Sequence, residues 1–390
     1  MAERDLELLK HALDLATSDP GLDSTRLRNG AVVSFPDGGP VVRWSADLGV
    51  DALLGALRPE GERASGATLA VVVLDPLIFA RPAVRAALDR SGVERVVACH
   101  LGPAPRGASP GDIAEMSAER LVAEFRSSGY EVLWGAGVED AARLNWRHLT
   151  WRTQGRPAVT VKWAMSLDGR IATVAGDSQW ISGPSGRQWA LEQREGHDAI
   201  LVGSGTVLAD DPRLDRRLGA RDRPIMRVVL DRRLRTPPEA RLLTRGGPLL
   251  IYVGPRADAA RRQRLIEAGT RAADAGGASL EIVQREPASP AAVLEDLHRR
   301  GVSSLLVEGG GQVAAAFIEA GLFDRIAVCC APLLIGGQMA PGPLGGRGFA
   351  PLHTAPRLAR FEAESRGEDF ILTAFRDSCL PALSASVENF

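Results

Sequence analysis

Lysine is almost missing from this chain: Lys10 and Lys162 stand against 45 arginines. Arginine meets nearly every other demand for positive charge, so an amine kept inside an apolar strand marks Lys162 as a tunable cation with a task. The plain alternative is a strand-end lysine reaching for water. Net charge is scarce too. At −1, with acids and bases interspersed, the chain carries no footprint for nucleic acid or an anionic membrane. Long apolar runs are absent: none approaches the ~20 residues that span a bilayer, and Met1 to Asp14 reads as an amphipathic helix rather than a basic leader. Cysteine is rare. Cys99, the adjacent Cys329 and Cys330, and Cys379 show no framework spacing, so buried thiols in a reducing cytoplasm are the expectation.

What is present is ordinary globular material in two runs. A length of 390 residues suggests two or three domains, and 45% hydrophobic content supplies sizeable cores. Residues 6–17 repeat apolar side chains at helical spacing. Gly30 to Phe35 and Val41 to Trp44, either side of Pro36-Asp37-Gly38-Gly39-Pro40, read as a hairpin. A helix is expected at Asp51 to Leu57, a buried strand at Ala67 to Leu74, and a helix at Pro82 to Ser91. A strand at Val93 to Cys99, a helix at Ser117 to Ser128 and a strand at Tyr130 to Trp134 follow. This alternation predicts a three-layer α/β domain over 1–150. Asn145 to Pro157 reads as a connector, with Trp146 and Trp151 packed between domains.

The second run, 157–376, opens with a short strand from Ala158 to Trp163 and turns at Asp168-Gly169 and Ala175-Gly176-Asp177. A helix at Arg187 to Glu195 and a strand at Asp198 to Ser204 lead to the turn Gly203-Ser204-Gly205-Thr206. Strands are expected at Arg227 to Asp231, Leu249 to Val253 and Ser279 to Val283, with arginine-rich loops between and after the first two. After a helix at Pro290 to Arg300, the strand Ser303 to Val307 runs straight into Glu308-Gly309-Gly310-Gly311 and the helix Gln312 to Ala320. That order offers backbone N–H groups and a positive helix end to a phosphate. It does not fit the Rossmann fingerprint, and such a turn is often only a tight connection. Late strands fall at 326–331 and 362–375, the latter with Gly367-Glu368-Asp369 at a hairpin turn or bulge, and residues 377–390 read as a loose tail.

Several motifs, in order, give the second run a family resemblance. The first are Lys162, Ser166-Leu167-Asp168-Gly169-Arg170, Ser178-Gln179-Trp180-Ile181 and Leu201-Val202-Gly203 with Thr206. Then come Ala209-Asp210-Asp211-Pro212 with Leu214 and Arg217, Val307-Glu308-Gly309-Gly310-Gly311, and Ala331-Pro332-Leu333-Leu334-Ile335-Gly336-Gly337. Together they resemble the reductase domain of the bifunctional deaminase/reductase family of riboflavin biosynthesis. The resemblance implies a dihydrofolate-reductase-like α/β fold that uses NADPH to reduce the ribosyl group of a phosphorylated aminopyrimidinedione to a ribityl chain. It implies that Ala164, Trp180, Thr206, Asp210 and the turn Gly310, Gly311 and Gln312 contact NADPH. Ser178, Arg194, Leu214, Arg217 and Glu308 would contact substrate, Arg194 and Arg217 being suited to its phosphate. A solvated helical arginine is the plain alternative for Arg194. Lys162 and Glu308 are the candidates for proton traffic and polarisation of C1′, with a structural salt bridge between them as the competing account.

Two positions depart from the family pattern. Asp215-Arg216 stands where threonine is usual before Arg217, which admits an altered substrate. Arg232 stands where many members place a serine near the cofactor 2′-phosphate, and a cation there still suits NADPH.

The first run resembles the zinc deaminase that precedes this reductase, a cytidine-deaminase-like α/β/α domain. That chemistry needs a His or Cys and two further Cys around zinc, with a Glu to shuttle protons. Here the His-Ala-Glu segment reads Asp51-Ala52-Leu53, the Glu-Pro-Cys segment reads Asp75-Pro76-Leu77, and the second cysteine falls near Ala83 or Val84. Thr25-Arg26-Leu27-Arg28 replaces the residues that would touch the base. No metal site is expected, and a separate deaminase would act upstream. The resemblance also implies a homodimer paired through the sheet edge. Two rivals remain open: a reductase of a related pyrimidine ribotide in a specialised-metabolite pathway, and a non-catalytic scaffold for a partner deaminase.

Overall fold

The computed structural model describes residues 1–18, 27–36, 42–45, 57, 66–102, 117–218, 224–285 and 289–376. The described chain divides into two compact units, the first ending at Gly155 and the second starting at Arg156. The helix expected to begin at Asp51, most of the first hairpin turn and the 377–390 tail lie outside the described residues.

The first unit runs α1 (Glu3–Ser18), β1 (Gly30–Ser34), β2 (Val42–Ser45), β3 (Ala67–Leu74), α2 (Pro76–Phe79), α3 (Pro82–Ser91), β4 (Val93–Leu101), α4 (Ala118–Ser127), β5 (Glu131–Trp134) and α5 (Val138–Gln154). Its sheet has the order β2-β1-β3-β4-β5. β1 is antiparallel to both neighbours, and β3, β4 and β5 are parallel. Every residue of β3 is buried, as a parallel strand covered on both faces must be. One apolar cluster joins Leu69, Phe79, Leu88 and Phe125; the other joins Leu8, Ala12, Val72 and Ala141. These are the two seams of a three-layer sandwich.

Asn145 to Gln154 is not a connector but the second half of α5. Ala141, Ala142, Asn145, Trp146 and Leu149 are its buried stripe, a helical spacing that the two tryptophans and the following Gly155 disguise. Asn145 anchors it, accepting from the Arg28 amide at 2.7 Å and donating to the Arg28 carbonyl at 2.9 Å.

The second unit runs β6 (Ala158–Ser166), α6 (Pro184–Glu195), β7 (Ala199–Gly203), α7 (Ser204–Asp210), β8 (Met226–Leu230), β9 (Leu249–Val253), α8 (Ala259–Asp274), β10 (Leu280–Gln284), α9 (Pro290–Arg299), β11 (Ser304–Val307), α10 (Gly311–Glu319), β12 (Arg325–Ala331), β13 (Leu358–Arg366) and β14 (Asp369–Arg376). The sheet order is β10-β9-β8-β7-β11-β6-β12-β14-β13. All pairs are parallel except those of β14 with β12 and β13. The chain leaves β6 in one direction, builds outward to β10, and returns to insert β11 between β7 and β6 before crossing to β12. Such a switch in direction opens a crevice at the carboxyl ends of the central strands.

Two local expectations are corrected here. Part of the segment after β9, expected as arginine-rich loop, is the helix α8, started by Asp258, whose side chain accepts from the Arg261 amide at 2.7 Å. Only Leu265, Ala268 and Gly269 are buried on it, so its apolar stripe is too thin to stand out among arginines. Ser204 to Thr206 is the first turn of α7 rather than a loop. The hairpin at Gly367-Glu368 is as expected, with Arg366 paired to Asp369 and Gly367 at φ 64°.

Candidate active site

β6 is buried over its first four residues and half-open from Lys162 to Met165, so it carries its side chains out of the core as it reaches the crevice. Val161 of β6 pairs with Val307 of β11. The next residues along, Lys162 and Glu308, are therefore neighbours, and Lys162 Nζ lies 3.8 Å from Glu308 Oε1. Arg194, in the last turn of α6, closes on the same carboxylate, with Nη2 2.7 Å from Oε2 and Nε 3.4 Å from Oε1. This is a fork-on-fork ion pair. Burial would raise the Glu308 carboxyl, but Arg194 first and Lys162 second outweigh it and hold it below the usual range. Burial would likewise lower the Arg194 guanidinium, and Glu308, helped by Asp215, keeps it above its ordinary value. The cluster is charged throughout: one carboxylate between two cations, with a donor amine and an acceptor carboxylate side by side.

The loop after α7 serves both core and site. Leu214 takes a left-handed φ of 56°, and its side chain is buried with Ile200, Val202 and Val229. Any part it plays toward substrate falls to its main chain. Asp215 accepts from Arg217 Nε at 3.1 Å. Arg216 turns inward, donating to the His197 carbonyl and, at 3.3 Å, to the Arg194 carbonyl. Those carbonyls end α6, where a cation is favoured. His197 locks the same corner: its Nδ1 faces the Gln193 carbonyl at 2.6 Å and its Nε2 the Thr160 hydroxyl at 2.9 Å. A carbonyl only accepts, so Nδ1 carries the proton, and His197 is structural.

The cofactor candidates follow the carboxyl ends of β11, β7 and β8 in sheet order. A methyl group on Gly309 would strike Val313, and one on Gly203 would strike the same valine. The glycine turn and the start of α7, which carries Thr206 and Asp210, are therefore packed together. One added to Gly310 would meet nothing within 4 Å, so this turn presents bare backbone to open space at the N-terminus of α10. Gln312 is exposed beside it. Arg235 donates to Ser204 Oγ at 2.8 Å, drawing the loop after β8 to α7, and Arg232 on that loop is exposed. Ala164, on the Lys162 face of β6, packs beside Trp189 and Cys329. Ser178 is half-buried and Trp180 is 70% exposed, with the Arg187 guanidinium 5.0 Å from its ring centre. Neither is hydrogen-bonded to the Lys162–Glu308–Arg194 cluster.

Sequence reasoning missed the long-range roles of two carboxylates. Asp168 accepts from the Ser166 hydroxyl at 2.6 Å and from the amides of Ile335 and Gly336 at 3.1 and 2.7 Å. It joins two motifs that had each been singled out but never connected. Asp369 accepts from the Gly183 amide at 2.9 Å, capping α6 where a carboxylate suits the dipole.

In the first unit, Asp75 at the end of β3 is ion-paired to Arg152 of α5, their side chains 2% and 3% exposed. Burial pushes the Cys99 thiol up to about 12 and His100 down to about 4. A carboxylate bound by a guanidinium and a thiol held protonated are poor metal ligands. Among the described residues no group of three His, Cys, Asp or Glu side chains is placed to hold a metal.

Comparison with known proteins gives the arrangement its class, that of the α/β oxidoreductases. Residues 157–372 match the RibD C-terminal domain. The chain belongs to that family. The riboflavin biosynthesis protein RibD of Aquifex aeolicus is 32% identical over 95% of this chain and 98% of its own. A 2,5-diamino-6-ribosylamino-4(3H)-pyrimidinone 5′-phosphate reductase from Methanothermobacter thermautotrophicus is 38% identical, over 56% of this chain and 97% of its own. The solved structure of Acinetobacter baumannii RibD superposes with a TM-score of 0.75 at 26% identity, covering 96% of this chain and 99% of that one. Both units are thus matched by the RibD structure. No helix among the described residues is long and apolar enough to cross a membrane.

Proposed function

We propose that the second unit reduces the ribosyl group of 5-amino-6-(5-phosphoribosylamino)uracil to its ribityl form with NADPH, in riboflavin biosynthesis, and that the first unit has no deaminase activity. The observation that carries this reading is Glu308, ionised between Lys162 and Arg194 beside the open Gly310 turn. When bound, NADPH would supply the hydride. Gly310, Gly311 and Gln312 offer backbone and polar contacts to its phosphates, with Thr206 and Asp210 alongside, and Arg232 is a cation for the 2′-phosphate. Trp180 presents an exposed indole face against which a flat ring could stack. Lys162 is the proton donor toward the sugar, because its ammonium is the donor beside the crevice. Glu308 holds that ammonium and accepts from a sugar hydroxyl, and Arg194 with Arg217 reads the phosphate end.

Asp215 favours a second reading, a related pyrimidine ribotide reduced by the same machinery. The lost deaminase chemistry means that a separate deaminase supplies the substrate. The edge strand β13 leaves Leu358 and Phe361 exposed, 45% and 66%, and a homodimer paired through that edge would cover them. The test is to mix the purified chain with NADPH and the deaminated substrate and to follow cofactor absorbance. Turnover is expected. Absence of both turnover and NADPH binding would overturn the reading, and stoichiometric zinc in the same sample would overturn its account of the first unit.

A further inference from the structure

Arg217 is one of two guanidinium groups assigned above to an anionic substrate end, yet it does not stand free. Its Nε is 3.1 Å from Asp215 Oδ1, and the Asp215 carboxylate also acts on Arg194. The position of Asp215 is imposed from both sides. Leu214 before it is 2% exposed in the core, and the side chain of Arg216 after it is 7% exposed, clamped on the carbonyls of Arg194 and His197. The side chains of Asp215 and Arg217, 23% and 54% exposed, are paired with each other. Glu308 already occupies Nη2 and Nε of Arg194. Asp215 thus offsets the guanidinium charge of Arg217, and its carboxylate also acts on the buried Arg227. A phosphate monoester brings nearly two negative charges at neutral pH.

We infer that Asp215 is a specificity-determining residue: it holds Arg217 and offsets one guanidinium charge, so that the site admits a sugar end of lower charge than a phosphate dianion. The inference rests on the proposed reading of Arg194 and Arg217 as the anion-reading pair. A dianion reaching Arg217 meets the Asp215 carboxylate at the same guanidinium, whereas an uncharged hydroxymethyl end meets an acceptor and donors together. The site therefore separates phosphorylated from unphosphorylated sugars less sharply than two unopposed arginines would. Arg217 retains its outer nitrogens, so phosphate binding is weakened and not abolished.

The experiment measures binding of D-ribose 5-phosphate and D-ribose to the full-length chain with NADPH present, by calorimetry, in the native protein and in Asp215→Asn, Asp215→Thr and Arg217→Ala. Both Asp215 variants are expected to bind ribose 5-phosphate about 10-fold more tightly, equivalent to ~1.4 kcal/mol, with ribose unchanged and a steeper salt dependence. Arg217→Ala is expected to weaken ribose 5-phosphate and spare ribose. If Arg217→Ala weakens the phosphate ligand while neither Asp215 variant tightens it, the inference on Asp215 fails and the site assignment stands. If Arg217→Ala has no effect either, the assignment of the anion-reading pair fails with it.

Discussion

Gly309 and Gly310 are adjacent in the turn after β11, yet a methyl group on the first would collide with Val313 and one on the second would enter open space. Gly310 has φ −62° and ψ 173°, which any residue adopts. Gly310→Ala is therefore expected to fold, with at most about 1 kcal/mol lost from a poorer helix cap, and to lose cofactor affinity, because the added carbon stands where bare backbone faces the ligand. Gly309→Ala is expected to lose stability instead, by about 1–3 kcal/mol from overpacking. Thermal melts and NADPH titrations of both variants check this. Equal effects on both quantities in the two proteins would remove the argument for a backbone cradle.

Glu308 joins two cations, so its neutral isostere separates charge from shape. Glu308→Gln keeps the volume, removes the negative charge shared by Lys162 and Arg194, and turns one of the two acceptor oxygens into a donor. Loss of a charge-assisted bond to a side chain only 9% exposed is expected to cost roughly 2 kcal/mol of stability. Turnover is expected to fall by about 100-fold or more, as for loss of a group in proton transfer. NADPH affinity should hold, because the cofactor candidates lie on the glycine turn and beyond. Near-native turnover in a folded Glu308→Gln protein would reduce the Lys162–Glu308 pair to a structural salt bridge.

Arg216 acts through α6. By tying the carbonyls of Arg194 and His197 it fixes the helix end from which the Arg194 side chain reaches Glu308. Arg216→Ala is expected to raise KM for a phosphorylated substrate by about 10-fold, the scale of one lost charged hydrogen bond, with kcat less affected. Arg216→Lys is expected to restore part of the loss, since an ammonium can reach one carbonyl but not fork across two. A purely structural role would lower stability and leave the KM-to-kcat split untouched.

Much of this was legible in the sequence because each part lies in a short stretch under local constraint. Lys162 stood out against the arginines, and Glu308 stood out at a glycine-rich strand-to-helix junction. The long-range partners were not legible. Asp168 reads locally as a turn residue, since Asp-Gly is a turn signal, and its acceptance from the amides of Ile335 and Gly336 depends on a pairing across the sheet. Asp369 looked like part of a hairpin and turned out to cap α6. Arg216 was one arginine among 45, and nothing local distinguishes an inward-facing guanidinium from a solvated one. The helix α8 was hidden by the same abundance, and α5 by its tryptophans.

The Asp168 staple also makes a prediction about acid. Its carboxyl is held at about 2, below the ordinary 3.8, first by the Ser166 hydroxyl and then by the amides of Ile335 and Gly336. A depressed carboxyl stabilises the folded state above its unfolded value and loses that contribution as pH falls toward the folded one. The difference in melting temperature between the native chain and Asp168→Asn is therefore expected to be constant near neutrality and to shrink as pH drops from 3.8 toward about 2. At neutral pH, hydrogen exchange of the segment from Leu333 to Gly337 should quicken in Asp168→Asn, because two amides lose an ionised acceptor and gain a weaker one. That segment would then loosen without any change to Lys162 or Glu308. A melting difference that grows in acid, or exchange that stays native, would mean that the loop is held by something other than this carboxylate.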